Sequence, residues 1–320
     1  MTRVKWMVFS SLAAVSAAAA AAAGAPIANL RAQDQRLLRI AEPIMADNVR
    51  LCDRTMPDLG VSLQSTDQYP ADAEPGFAAP VAFAALLPGA AAAQAGIERD
   101  DGLLTVDGNS VAKRPDLASS PLRDSAFAAI AEHDPATPLE LGVVHGGARR
   151  DVSVPAGREC RALVEILDEN GDTARSDGHT IQIAFGLASR ATDDQLAVIF
   201  AHELAHSILH HRERLSAAGA DNGLLGQVGR SRRLNLQAEE DADRLSVYLL
   251  ANAGIDPQAA PEFWRSKLGR HISGGIFHNL AHPSAKARAA MMEAEITAHI
   301  RPGEPAYPAD LLATRTQPMK

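Results

Sequence analysis

His202-Glu203-Leu204-Ala205-His206 sets two imidazoles four residues apart with a carboxylate beside the first. On an α-helix that spacing puts both rings on one face, where they can converge on a single cation, and Glu203 sits where it can take a proton from water. This pattern holds catalytic zinc; two solvent-facing histidines on an ordinary amphipathic helix are the competing reading. A tetrahedral catalytic site needs a third protein ligand and leaves its fourth position to water. Glu239, which opens Glu239-Glu240-Asp241-Ala242-Asp243, is the candidate third ligand. Asp243 lies four residues further along the same face, where it can bond the far ring nitrogen of a ligand histidine and fix its tautomer. Taken alone, that acidic run would read as a solvated helix face. His210 and His211 are expected at an exposed polar helix end with no ligand role, and His133, His145, His271, His278 and His299 at the surface.

Positioning such a site requires two packed helices. Thr192-Asp193-Asp194-Gln195 reads as a capping box, so a helix starts where the apolar run Leu196–Ala201 begins and is buried. A second helical stretch runs from about Arg232 to Ala253 and is stopped by Gly254 and Pro257. The Gly-rich run from Gly219 to Gly229 between them reads as a mobile loop able to gate a cleft. Asp34 to Met56 and Ala285 to Ile300 read as further helices, and the proline-rich tail after Arg301 as irregular.

The region before these helices has a different texture. Leu59–Leu63, Val81–Gly89 and Asp101–Gly108 are short apolar runs broken by turn residues. Pro121 to Glu132 is helix-like, and Leu139–Val144 and Asp151–Val154 flank His145-Gly-Gly-Ala148. Asp-Gly and Gly-Gly turns between such runs predict a compact, mostly-β module. The chain has two cysteines, Cys52 before this module and Cys160 after it. In an oxidising compartment they can form one disulfide; two buried free thiols are the alternative.

At the start, Arg3 and Lys5 precede an apolar stretch from Trp6 to Ala23, with small residues between Ala20 and Ala25. This reads as a secretory signal over residues 1–25, or as an uncleaved inner-membrane anchor. The expected location is the periplasm or outside the cell, with peripheral membrane association a further option. A net charge of −8 and a pI near 5.8 argue against a nucleic-acid partner.

HExxH followed by Glu239-Glu240-Asp241-Ala242-Asp243 resembles the gluzincin metallopeptidase family of the CAAX prenyl endopeptidase and the HtpX heat-shock protease, in its soluble BepA-like envelope branch. Asp177–Ile183 with Phe185-Gly186-Leu187, and Ala281-His282-Pro283-Ser284, are similar to further segments of that family; Thr173-Ala174 departs from its usual Asn-Ala. The resemblance covers roughly Ala162 to Ala298. It implies one zinc per chain on His202, His206 and Glu239, Glu203 as general base and then acid, Asp243 behind the ligands, and His282 near the metal steadying an oxyanion or occupying the open position. A substrate strand would pair with the edge Thr180 to Phe185, through Ile181 and Ile183.

Residues 57–156, through "PGAAAAQAGI", "DGLLTVDG" and "GGARRDVSV", resemble a PDZ domain. That resemblance implies a peptide ligand received at Leu59, Gly60 and Val61; an insert with no ligand is the alternative. The expected fold class is α+β: a mainly helical zincin-type metallopeptidase domain with a small sheet (157–300) and a mostly-β PDZ-like domain. A helix over 26–56 packs on the former, and an irregular tail fills 301–320. The implied function is zinc-dependent cleavage of misfolded or misassembled envelope proteins. A non-catalytic PDZ adaptor or chaperone with a structural or latched zinc is the second hypothesis.

Overall fold

A computed structural model describes residues 14–111, 122–220, 229–273 and 284–319, with side chains from residue 27 onward. Most of the Gly-rich run after Gly219, and His278 and His282, lie outside the described residues. The architecture is mixed α and β with small sheets. It is organised around two large apolar cores.

The first helix, α1 (Ala14–Ala46), turns Leu37, Ala41 and Ile44 inward at helical spacing. It runs through the expected signal boundary and stops ten residues before the expected Met56. Buried Asn48 ends it: its side-chain amide donates to the Ile44 carbonyl and, across the core, to the Leu249 carbonyl, both at 2.9 Å. The next segment is extended, β1 (Thr55–Asp58), because it pairs antiparallel with β8, described below.

The β-rich unit follows: β2 (Val61–Ser65), β3 (Val81–Leu86), the short α2 (Ala91–Gln94), β4 (Gly102–Val106), β5 (Asn109–Ser110), α3 (Leu122–Ala131), β6 (Leu139–His145) and β7 (Ala148–Val154). Its sheet runs β2-β3-β4-β6-β7, with β5 paired to β4. Asp107-Gly108 and Gly146-Gly147 all have positive φ, as tight hairpin turns require. Phe83, Leu103, Ile130 and Leu141 fill its core.

The chain leaves through β8 (Gly157–Cys160), whose register sets Thr55 opposite Cys160. Cys52 and Cys160 are joined by a disulfide, with Cα atoms 5.6 Å apart. Next come β9 (Leu163–Leu167), β10 (Ala174–Ser176) and β11 (Thr180–Ala184), then α4 (Phe185–Arg190), α5 (Asp193–Ile208), α6 (His211–Ala217), α7 (Gly229–Asn252), α8 (Ala259–Arg265), α9 (Lys267–Ser273) and α10 (Ala285–His299). The tail is not wholly irregular: α11 (Ala309–Ala313) buries Leu311 and Leu312 in the helical core. Among the described residues no helix is long and apolar enough to cross a membrane.

Strand β9 joins the two units. Asp34 on α1 accepts the Ile166 N–H and a bond from Gln64 of β2, both at 2.7 Å. Arg123 of α3 pairs with buried Glu165, which also accepts from Gln68 and Gln182. Leu163 enters the core of the β-rich unit, between β2 and α3.

Two measurements bear on this arrangement. The bridge closes a 108-residue separation, worth up to about 4–5 kcal/mol by the loop-entropy argument; replacing both cysteines by serine is expected to lower the urea midpoint, and an unchanged midpoint would count against that role. Burial raises the Asp34 carboxyl from 3.8 to about 7, against the hydrogen bonds from Ile166 and Gln64 and the attraction of Arg123 and Arg31. The folded protein therefore holds this proton where the unfolded chain has lost it, so the group's stabilisation is complete below the lower value and is lost as pH rises through 7. Asp34→Asn should gain in melting temperature over the parent as pH is raised from 5 to 8; a constant difference would refute the assignment.

Candidate metal centre

Helix α5 begins at Thr192, whose side chain accepts from the Gln195 N–H while Gln195 bonds back to the Thr192 N–H. Leu196, Phe200 and Leu204 anchor one side of α5 in the helical core. His202 and His206 sit one turn apart on the side that faces α7, with Nε2 atoms 3.1 Å from each other. Glu239 of α7 completes a triangle: its oxygens lie 3.4 Å from His202 Nε2 and 3.6 Å from His206 Nε2. Ligand atoms about 2.0–2.1 Å from a tetrahedral centre are separated by about 3.3 Å. The three groups therefore have the spacing and donor types to bind a metal ion.

One turn further along α7, fully buried Asp243 reaches His202 Nδ1 at 3.0 Å. Only an acceptor can complement an N–H there, so Asp243 keeps a proton on Nδ1 and leaves Nε2 as the ring atom turned to Glu239. Arg288 of α10 clamps Asp243 through Nε at 2.6 Å and Nη2 at 2.5 Å. Its guanidinium lies 3.6 Å from the ring centre of Trp264. Burial alone would raise the Asp243 carboxyl, but Arg288 and the bond from His202 hold it below its ordinary value. Burial also opposes charge on His202, yet Asp243 and Glu239 raise it to about 10, while burial pushes His206 down to about 4.

Glu203, also buried, opens with the triad onto a cavity of about 760 Å³. Val198, Ile199, Phe263, Trp264 and Met292 give it apolar walls, and residues 173–176 form one margin. This corrects the expected substrate edge. β11 is the middle strand of β10-β11-β9, so its backbone is paired on both sides and Ile181 and Ile183 are fully buried. Among the described residues the outer strand beside the cavity is β10, tied to α5 by Ser176 Oγ at 2.7 Å from Ser207 Oγ.

The expected peptide loop is also closed. Leu59 and Gly60 are buried, their carbonyls accept from Ala92 and Leu87, and the Gly60 N–H bonds to the Asp58 carboxyl. Between β2 and α3, where a ligand strand would lie, Ala162, Leu163 and Val164 leave about 20 Å³. Val61, half-buried, lines that remnant.

His211 is 1% exposed, contrary to expectation. His210 adopts φ +53, in the left-handed region, and breaks the helix there. On a continuous helix a residue five positions on would point roughly 140° away from His206; the break instead brings His211 Nδ1 to 2.9 Å from His206 Nδ1. Arg288 was also missed, although its signal was present. It interrupts the apolar stripe Ala285, Ala289, Met292 and Ile296, where a charge must have a buried partner.

No protein-family model matches the chain, and no curated protein matches it. Partners behind metal ligands are worth 10–100-fold in affinity, so Glu239→Ala is expected to weaken divalent-cation binding by more than about 100-fold. Chelator competition measures this, and parental affinity in the variant would exclude Glu239 as a ligand.

Proposed function

We propose that the chain is a zinc-dependent endopeptidase of the gluzincin type. The observation that carries the reading is the His202–His206–Glu239 triangle opening, with Glu203, onto an apolar cavity beside β10, the outer strand of its sheet among the described residues. Two imidazoles and one carboxylate form a donor set that zinc takes in catalytic sites. Bound there, zinc would polarise the scissile carbonyl and make a water molecule acidic near pH 7.

The protein's own groups supply the remaining chemistry. An extended substrate can add to β10 through backbone hydrogen bonds, which recognise the main chain and tolerate varied sequence. Residues 173–176 thus take the role first assigned to β11, and the Thr173-Ala174 departure falls on this edge. The apolar walls accept a side chain next to the cleaved bond and exclude bulk water. Glu203 takes the proton of the attacking water and returns it to the leaving amine. Asp243, fixed by Arg288, keeps His202 aimed at the cation.

The expected substrates are unfolded or misassembled proteins of the bacterial envelope. The Cys52–Cys160 bridge supports an oxidising compartment. The β-rich unit, whatever its likeness to a PDZ domain, has its β2–α3 groove filled by the chain itself. That favours a scaffold for β9 over a peptide receptor, and it weighs against the adaptor reading.

The test is cleavage of reduced, denatured casein by the zinc-loaded chain. Glu203→Gln should bind zinc as the parent does and lose about 10²–10⁴-fold in turnover, the usual contribution of a positioned acid–base group. Equal turnover by parent and variant would remove Glu203 from the mechanism. Absence of cleavage by the zinc-loaded parent would favour a binding protein.

A further inference from the structure

The two ring nitrogens that face away from the triangle have different partners. His202 Nδ1 meets a carboxylate, Asp243, whereas His206 Nδ1 meets another imidazole, His211 Nδ1, at 2.9 Å. We propose that His211 is a positioning residue for the metal centre: it accepts a hydrogen bond from His206 Nδ1–H and so fixes His206 in the tautomer that presents its Nε2 lone pair to the cation. The inference rests on reading His202, His206 and Glu239 as ligands.

The geometry leaves little choice of direction. His206 Nε2 is 3.1 Å from His202 Nε2 and 3.6 Å from Glu239, so it is the atom committed to the triangle. A neutral imidazole with a free Nε2 lone pair carries its proton on Nδ1. That proton must find an acceptor, and His211 Nδ1 is placed to receive it. His211 must then be the Nε2–H tautomer, with its own Nδ1 lone pair engaged. It cannot itself join the triangle, since it approaches His206 from the opposite side of that ring.

Burial makes the contact specific. His211 is almost wholly enclosed, and its Nε2 has no hydrogen-bond partner among the described residues. An imidazole buried with one nitrogen unsatisfied is costly, and it persists where the other nitrogen has a role. The left-handed backbone at His210 that aims the ring inward is a second unfavourable feature in the same place.

Charge explains why an imidazole suits this position better than a second carboxylate. Glu203, Glu239 and Asp243 are three acids around the site, and Arg288 is the buried base set against them. A divalent cation brings that formal balance to zero. A neutral acceptor at position 211 leaves that balance unchanged, whereas an aspartate would shift it by one charge and draw on the buried Arg214 nearby.

The experiment compares the full parent chain with His211→Asn and His211→Leu, using zinc alone as the probe. Asparagine keeps an acceptor near the Nδ1 position and leucine keeps only volume. Chelator competition should show zinc affinity reduced 10–100-fold in His211→Leu and largely restored in His211→Asn. A loss from packing alone would not be rescued by the polar variant, and equal zinc affinity in parent and His211→Leu would overturn the proposal. Nitrogen-15 NMR of the zinc-loaded parent provides a readout that needs no variant. It should find His206 protonated at Nδ1 and His211 at Nε2, and a proton on His211 Nδ1 would refute the assignment. A parent that binds no zinc would instead overturn the metal-centre reading, and this proposal with it.

Discussion

Closing the α5–α7 interface means packing carboxylates and imidazoles side by side, largely out of solvent, and the site depends on how those charges are balanced. Asp243 is fully buried, and a lone carboxylate there would abandon its charge sooner than keep it. Arg288 prevents that by gripping both oxygens from α10 while its flat face rests on Trp264 of α8. Four helices therefore meet at one ion pair. A buried pair of this kind contributes little net stability, but removing either member would strand the other. Its value lies in orientation, since it holds a carboxylate against Nδ1 of His202 and leaves Nε2 turned to the triangle.

The rest of the molecule holds this arrangement from behind. The β10-β11-β9 sheet lies against α5, and β9 is fastened on its far side by Asp34, Gln68 and Arg123. The β-rich unit has surrendered the cleft between β2 and α3 to that same strand. A continuous run of contacts leads from it to the site: it bonds β9, β9 pairs with β11, β11 pairs with β10, and β10 borders the cavity.

Local patterns were legible in the sequence where short-range physics decides them. The cap at Thr192, the helical course of α7 and α10, and the hairpin turns at Asp107-Gly108 and Gly146-Gly147 follow from spacing and turn chemistry. The His202, His206 and Glu239 set was legible because two i, i+4 pairs, His202/His206 and Glu239/Asp243, each put metal-binding side chains on one helix face. What tertiary packing decides was not. Nothing local distinguishes a central strand from an edge strand, so the sheet edge expected at β11 lies at β10 instead. The end of α1 depends on Asn48 reaching Leu249, some 200 positions away. His211 was assigned to the surface because a single backbone reversal at His210 carries no composition signal.

The pairing of β1 with β8 has a kinetic meaning as well as an architectural one. The polypeptide departs from the helical core and returns to nearly the same point, so about a hundred residues form an excursion closed at its neck. Helix α1 is made before that excursion and β9 after it, and the Asp34–Ile166 bond spans 132 positions. Contacts that distant form late, since the intervening chain must be ordered or looped out first. In order of synthesis α1 therefore precedes its β9 partner by the whole of the excursion. A segment that contributes no side chain to the triangle thus separates, along the chain, the first helix of that core from all the others.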